Sequence, residues 1–450
     1  MNYEEKLLNV SILGAAGKMG SGILLLTAVE MADLQLKPEN KTKSFVLNAI
    51  DVSTISLTGL YGYLKAQVKK IAEKKINQLR NVYKDNRELI ENSEIIDQYV
   101  DDVMKLVLFS SRIESTYESG LIFEAIVEDS DIKTKVITQI LENNKKNPWF
   151  LTNTSSVPID ELDSRTNLKG NILGFHFYNP PAVQKLVELI TTKNTNKDLI
   201  EFSKIYAKNL NKKLVPANDF AGFIGNGHFM RDLLFGIQMA ENLSKEMSFV
   251  ESVYAINRIS QDFLIRPMGI FQLMDYVGID VCQQILQVMK SRLKDETLHS
   301  SLIDNFIALG IKGGQNSDGS QKPGILLYEK GKPVAIYDPE KKDYNRIDAF
   351  KSSVDTKLGK LPSSNKPWKD VIANKQKDEF LKNYFSELKD SDSLGSNLAK
   401  EYHINSKNIG LNLVKNGIAD NDDNVNAVML TGFFHAYGPI NSYLDQTEIN

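Results

Sequence analysis

Cysteine is almost absent from this chain, with one, Cys282, in 450 residues. An intrachain disulfide and a cysteine-based zinc site are both excluded, and Cys282 reads as a small apolar filler in a helix. There is no surplus of positive charge either. Lys and Arg number 54 against 57 Asp and Glu, a net charge of −3, so a dedicated nucleic-acid binder is not expected. Long apolar runs are missing too. The longest largely apolar stretch, Ile23 to Val29, is far short of the roughly 20 residues that span a bilayer. The opening MNYEEKLLNV is acidic and has neither the basic nor the apolar region of a secretory signal. The expectation is a soluble, cytoplasmic protein of a reducing compartment. Nothing clusters His and carboxylates at ligand spacing, so no metal is expected.

What is present is ordinary globular sequence, 42% hydrophobic and 25% charged. At roughly 150 residues per domain the length suggests about three domains. Residues 8–14 (LNVSILG) read as a buried strand, followed by a glycine-rich turn and an apolar helix. A second strand, SFVLNAID, ends at Asp51. This is the opening of a doubly wound α/β sheet. Residues 55–83 and 88–105 suit two exposed amphipathic helices, after which strand segments resume at 105–111, 121–127, 149–155, 171–177 and 185–190.

The expected organisation is a Rossmann-type dinucleotide-binding domain at 1–217 with a helical arm at 55–105, then all-α C-terminal sequence. That sequence divides into a helical domain at 218–325, a polar linker at 326–378 and a second helical repeat at 379–450. The repeat rests on ESVYAIN…RPMGIFQL (251–273), echoed by DNVNAVM…AYGPINSY (423–443), which reads as a degenerate duplication of one helical unit.

The turn Gly14-Ala-Ala-Gly17-Lys18-Met19-Gly20 supplies the sharp bend and close backbone approach that a pyrophosphate needs at a helix N-terminus. Its GxxGxxG spacing is one residue longer than the usual loop. Asp51, at the end of the second strand, is placed to bind the ribose hydroxyls of NAD and repel the extra phosphate of NADP. The interval from Gly20 is long, and the polar insert LKPENKTK accounts for it.

Of five histidines, His176 differs in its setting, closing the apolar strand NILGFHF before the loop YNPPAVQ and the strand KLVELI. In a hairpin centred near Ala182, His176 and Glu188 lie equally far from the centre and face each other, about 5 Å apart at Cβ. A carboxylate that fixes the tautomer and stabilises the imidazolium is what a histidine general base requires; a structural His–Glu pair has the same spacing. Ser155 follows a strand end, where an α/β sheet forms its ligand crevice. Asn226 lies in GFIGNG at a domain transition.

These residues carry a resemblance. From Val10 to Asp280 the chain resembles the NAD-dependent (S)-3-hydroxyacyl-CoA dehydrogenases of fatty-acid β-oxidation, through GKMGSGI, FEAIVED, NTSSVPI, GFHFYNPPAVQKLVEL, GFIGN and RPMGIFQLMDYVG. The resemblance implies that His176 is the base and Glu188 its partner, with Ser155 and Asn226 bonding the substrate's reacting oxygen and thioester. It puts Glu128 and Lys133 beside the cofactor NAD and Asn179 near the nicotinamide. The helical arm would lie against coenzyme A, its Lys65, Lys69 and Lys70 in reach of phosphates. The substrate implied is an acyl-CoA thioester. The C-terminal repeat resembles the longer members with a duplicated helical domain, which leaves a monomer or a homodimer open. Two other readings stand beside this one: a hydroxyacid or sugar-acid dehydrogenase of the same fold without CoA, and a silent NAD-binding scaffold.

Overall fold

Val10, Ile12 and Leu13 are buried together with Ser11, whose hydroxyl is satisfied by Ser119 at 2.7 Å. A strand with no wet face needs parallel neighbours and helices over both sides. In the computed structural model, which describes residues 2–316 and 319–445, that strand is β1 (Asn9–Leu13), preceded by a single turn, α1 (Tyr3–Lys6). The first of two compact units, Met1–Asp219, continues with α2 (Gly20–Gln35), β2 (Val46–Ile50), α3 (Thr54–Val82), α4 (Asn92–Leu106), β3 (Val107–Ser110) and β4 (Leu121–Glu124). After these come α5 (Ser130–Asn143), β5 (Trp149–Thr152), α6 (Ile159–Thr166), β6 (Ile172–Phe177), β7 (Leu186–Thr191), α7 (Lys197–Asn209) and β8 (Lys213–Asn218).

The sheet runs β3-β2-β1-β4-β5-β6-β7-β8. Every pair is parallel except β6 with β7, which are antiparallel. The order reverses between β1 and β4, and ligands of such sheets bind at that reversal, beyond the carboxyl ends of the strands. The insert after α2 explains the long interval before Asp51: α2 runs on to Gln35, and a short 3-10 turn at Pro38–Asn40 tucks the buried Asn40 amide onto Leu34 O at 2.8 Å. The arm is a pair of packed helices. Leu57, Leu60, Leu64, Val68, Ala72 and Leu79 form the buried stripe of α3, facing Ile95, Tyr99, Val100 and Val103 of α4. Asp33 of α2 anchors both helices, accepting from Tyr99 Oη at 2.7 Å and from Lys75.

The second unit, Phe220–Asn450, is mostly helical: α8 (Gly225–Leu243), α9 (Phe249–Arg258), α10 (Ile270–Val277), α11 (Ile279–Leu293) and α12 (Ser301–Ala308). The segment 326–378 is not a linker. It forms an antiparallel sheet of β9 (Leu326–Glu329), β10 (Lys332–Asp338) and β11 (Asp343–Arg346), then α13 (Lys351–Leu358) and α14 (Trp368–Ala373). Its apolar residues are sparse, which is why composition suggests a linker. Yet Leu326, Ile336, Val354, Leu358 and Val371 are all buried in the core that α8, α9 and α10 share. Then come α15 (Lys377–Asp390), α16 (Leu394–Lys415) and α17 (Asp422–Gly432); residues 446–450 of the expected repeat lie outside the described residues.

Within this unit one local geometry occurs twice. Asn257 Oδ1 accepts from Gln272 N at 3.1 Å, and a Cβ on Gly269 would collide with the Asn257 amide. Asn426 Oδ1 accepts from Ile440 N at 3.0 Å, and a Cβ on Gly438 would collide with the Asn426 amide. Between each Asn and Gly stands a non-glycine residue with positive φ, Ile265 at 48° and Phe434 at 56°. The matching positions differ from the V-x-A alignment of the sequence by one helical turn. An apolar helix pattern survives such a slip, because residues three apart share a face. Among the described residues no helix is long and apolar enough to cross a membrane, and no group of His, Cys, Asp and Glu is placed to hold a metal ion.

Candidate active site

The glycine turn closes on itself through backbone contacts that side chains would block. Gly14 has φ 73°, and a Cβ there would strike the Ala125 carbonyl; one on Gly20 would strike Gly14 O. Met19, at the N-cap of α2, provides no side-chain acceptor for the first amides of the helix, and Lys18 precedes it, exposed. A helix N-terminus without a side-chain cap, with the positive end of the helix dipole at it, favours an anion. Asp51 directly follows β2. Its carboxylate accepts from Ala16 N at 3.0 Å and from Ser53 N at 3.1 Å, which ties it to the glycine turn. A cradle of this shape with a carboxylate at its side fits a pyrophosphate and a ribose diol.

Beyond β4 and β5 lies a charged cluster. Lys133, on α5 and buried, donates to both oxygens of Glu124, at 2.7 and 2.8 Å, and stands 3.3 Å from Glu128 Oε2. Thr152 donates to Glu124 at 2.5 Å. Glu128 Oε1 collects Thr154 Oγ1 at 2.7 Å, Ser155 N at 2.8 Å, and the amide and hydroxyl of Ser156 at 2.9 and 3.0 Å. Burial alone would raise the Glu128 pKa, but the Lys133 charge and these donors outweigh it and hold the carboxyl below its usual range. Burial would likewise lower Lys133, and the two glutamates instead raise it. Glu128 and Lys133 therefore stay ionised, and Glu128 fixes the turn that bears Ser155.

His176 and Glu188 are direct cross-strand partners in the β6–β7 pair. His176 Nδ1 and Glu188 Oε2 are 2.9 Å apart, and Tyr178 Oη donates to the same oxygen at 2.9 Å. Glu188 is fully buried. An ionised carboxylate only accepts, so the contact assigns the proton to Nδ1 and makes Nε2 the basic nitrogen of the ring. Burial, followed by the Glu188 charge, pushes the Tyr178 hydroxyl well above its ordinary pKa, which keeps it a neutral donor. Phe177 N donates to Asn153 Oδ1 at 2.9 Å, joining β6 to the loop after β5 that carries Ser155.

The remaining residues singled out from sequence are placed as follows. Asn179 is half-buried, two residues beyond the end of β6. Lys65 and Lys69 are exposed on α3, and Lys69 is 3.7 Å from Asp97 of α4. Asn226 is in the first turn of α8, in the second unit, while Ser155, His176 and Glu188 belong to the first. Sequence reasoning missed Tyr178 and Glu124. Tyr178 is two residues from His176 on an extended chain and so shares its face, which was a usable signal. Glu124 sits in an apolar strand, and its burial is explained by Lys133 reaching it from the next helix and by donation from Thr152 and the Ile126 amide.

The first unit thus combines a glycine turn shaped for a dinucleotide with a histidine paired to a buried carboxylate. Residues 55–220 match the family model of the 3-hydroxyacyl-CoA dehydrogenase NAD-binding domain, and residues 222–322 that of its C-terminal domain. The chain belongs to the 3-hydroxyacyl-CoA dehydrogenase family. It is 28% identical over 309 residues to a probable 3-hydroxybutyryl-CoA dehydrogenase of Bacillus subtilis, covering 68% of this chain and 95% of that one. With the human mitochondrial hydroxyacyl-coenzyme A dehydrogenase the identity is 26% over 317 residues, 70% of this chain and 90% of the other. A solved 3-hydroxybutyryl-CoA dehydrogenase of Escherichia coli has the same fold, with TM-score 0.62 at 17% identity, over 96% of this chain and 90% of that one.

Proposed function

We propose that the protein interconverts (S)-3-hydroxyacyl-CoA and 3-oxoacyl-CoA with NAD+/NADH, as a step of fatty-acid β-oxidation, with His176 as general base and acid. The observation that carries this reading is the 2.9 Å contact of His176 Nδ1 with the buried Glu188. NAD, when bound, supplies the hydride acceptor, and NADH the donor. Gly14, Gly17, Lys18, Met19 and Gly20 hold its pyrophosphate end, Asp51 its ribose; Glu128 and Lys133 stand beside the cofactor and Asn179 near its nicotinamide.

In the oxidising direction His176 Nε2 takes the proton of the 3-hydroxyl, and Glu188 stabilises the imidazolium that results. In the reducing direction the imidazolium returns that proton to the 3-oxo oxygen. Ser155 and Asn226 donate to the reacting oxygen and the thioester carbonyl, where charge develops. Lys65 and Lys69 meet phosphates of coenzyme A. The duplicated local geometry in the second unit supports two copies of one helical domain, at about 218–325 and 379–450.

The test is NADH consumption with acetoacetyl-CoA, a long-chain 3-oxoacyl-CoA and a free 3-oxo acid. Turnover of the thioesters and not of the free acid is the expected result. Turnover of the free acid alone would move the assignment to a hydroxyacid or sugar-acid dehydrogenase. NADH binding with no turnover of any of them would mean a silent scaffold.

A further inference from the structure

Lys212 is held at both sides by its backbone. α7 closes with Asn211 in the left-handed region at φ 53°, and Asn211 N reaches Lys208 O at 3.0 Å while Lys212 N reaches Ala207 O at 2.8 Å. This is the double closure that ends many helices. The next amide, Lys213 N, bonds Lys185 O at 2.7 Å and starts β8 beside β7. From this fixed origin the side chain passes the Phe177 ring, with Nζ 6.0 Å from its centroid, and donates to Pro181 O and Gln184 O, both at 2.6 Å.

Those two carbonyls belong to the segment that carries the chain from the His176 strand to the Glu188 strand. The segment also meets the dinucleotide helix. A Cβ on Gly22 of α2 would stand 2.8 Å from Pro181 Cδ. The hairpin loop is thus in contact with both α2 and a lysine ammonium. A lysine on an open surface keeps its head in water. Lys212 instead directs it at two neutral carbonyls, and burial lowers its pKa to about 8.

We propose that Lys212 is a positioning residue for the reaction. By tying Pro181 and Gln184 together it fixes the hairpin against α2, and with it the contact of His176 with Glu188 and their distance from the cofactor helix. The inference rests on the reading that His176 is the base. Misplacement of a reacting group by about 1 Å costs on the order of 100-fold in rate, so a clamp of this kind has a kinetic signature.

The test compares Lys212→Met, which keeps the stem and removes the donors, with Lys212→Arg, which keeps charge and donors. The readouts are kcat with acetoacetyl-CoA, NADH affinity by fluorescence, and the downfield proton resonance of the His176 Nδ1–H bonded to Glu188, assigned by its loss in His176→Ala. Expected for Lys212→Met are a kcat about 10- to 100-fold lower, NADH affinity within about twofold of wild type, and loss or upfield movement of that resonance. Lys212→Arg restores most of the rate and the resonance. A folded Lys212→Met with unchanged kcat and unchanged resonance overturns the proposal. So does a rate loss that only follows the unfolded fraction. Should Lys212→Met not fold, Lys212→Gln is read by the same criteria. A wild-type protein inert towards the thioester would count against the functional reading, while the resonance would still decide the clamp.

Discussion

His176 and Glu188 are twelve residues apart in the chain and directly opposed in the sheet, Nδ1 to Oε2 at 2.9 Å, with Tyr178 Oη on the same carboxylate oxygen. The carboxylate faces the ring, accepts from the phenol and has no contact with solvent, so its charge lies against both. Glu188→Gln keeps the shape and removes that charge. We expect kcat to fall by about 10- to 100-fold, within the range general acid–base catalysis supplies, with NADH affinity unchanged. Steady-state kinetics beside fluorescence titration checks both.

Lys133 neutralises two carboxylates in a buried site. Glu128 has a lowered folded-state pKa, so in the wild type its contribution to stability is present above the unfolded carboxylate range and lost as pH falls through the folded value. Lys133→Met leaves Glu124 and Glu128 close together without a cation. Burial and mutual repulsion then raise a folded-state pKa above the unfolded one, and stability is lost as pH rises. We expect a loss of about 3–5 kcal/mol at neutral pH and a stability that falls as pH rises between about 5 and 8, where the wild-type contribution of Glu128 is constant, measured by urea unfolding.

Asp51 accepts from the glycine turn and the residue that caps α3. Asp51→Ala removes the acceptor for a ribose diol and the repulsion of a 2′-phosphate. KM for NADH should rise by about tenfold, the equivalent of one charged hydrogen bond, and the preference for NADH over NADPH should shrink by at least as much. Initial rates with both cofactors report this.

In the second unit Gly269 and Gly438 each leave room for an asparagine amide that bonds the backbone ahead of it. Gly269→Ala and Gly438→Ala should each cost about 1–3 kcal/mol, the usual penalty of overpacking. Gly59→Ala, on an exposed face of α3 with open space around it, should cost nothing or stabilise slightly. Thermal unfolding of the three variants distinguishes packing from propensity.

Much of this was legible in the chain. The opposed pair could be read because a hairpin makes position along the sequence a statement about space. The dinucleotide turn could be read because Gly14 and Gly20 stand where only backbone fits. The β9–β11 segment could not, since Leu326, Ile336 and Val354 are too widely spaced to form a periodic pattern and owe their burial to helices far away in sequence. The local geometry that occurs twice in the second unit lies one turn away from the sequence's own alignment, because an apolar stripe does not mark which turn it starts on; the Asn–Gly contacts do. Lys212 was hidden for a simpler reason. A lysine in the run NKKL looks like surface, and only the fold brings the Pro181 and Gln184 carbonyls to it.

The most direct test of the account is His176→Ala with acetoacetyl-CoA and saturating NADH, with NADH affinity measured on the same preparation. The account predicts a rate lower by about 100- to 10,000-fold and cofactor binding within about twofold of wild type. A folded variant that binds NADH and turns over at close to the wild-type rate would contradict it.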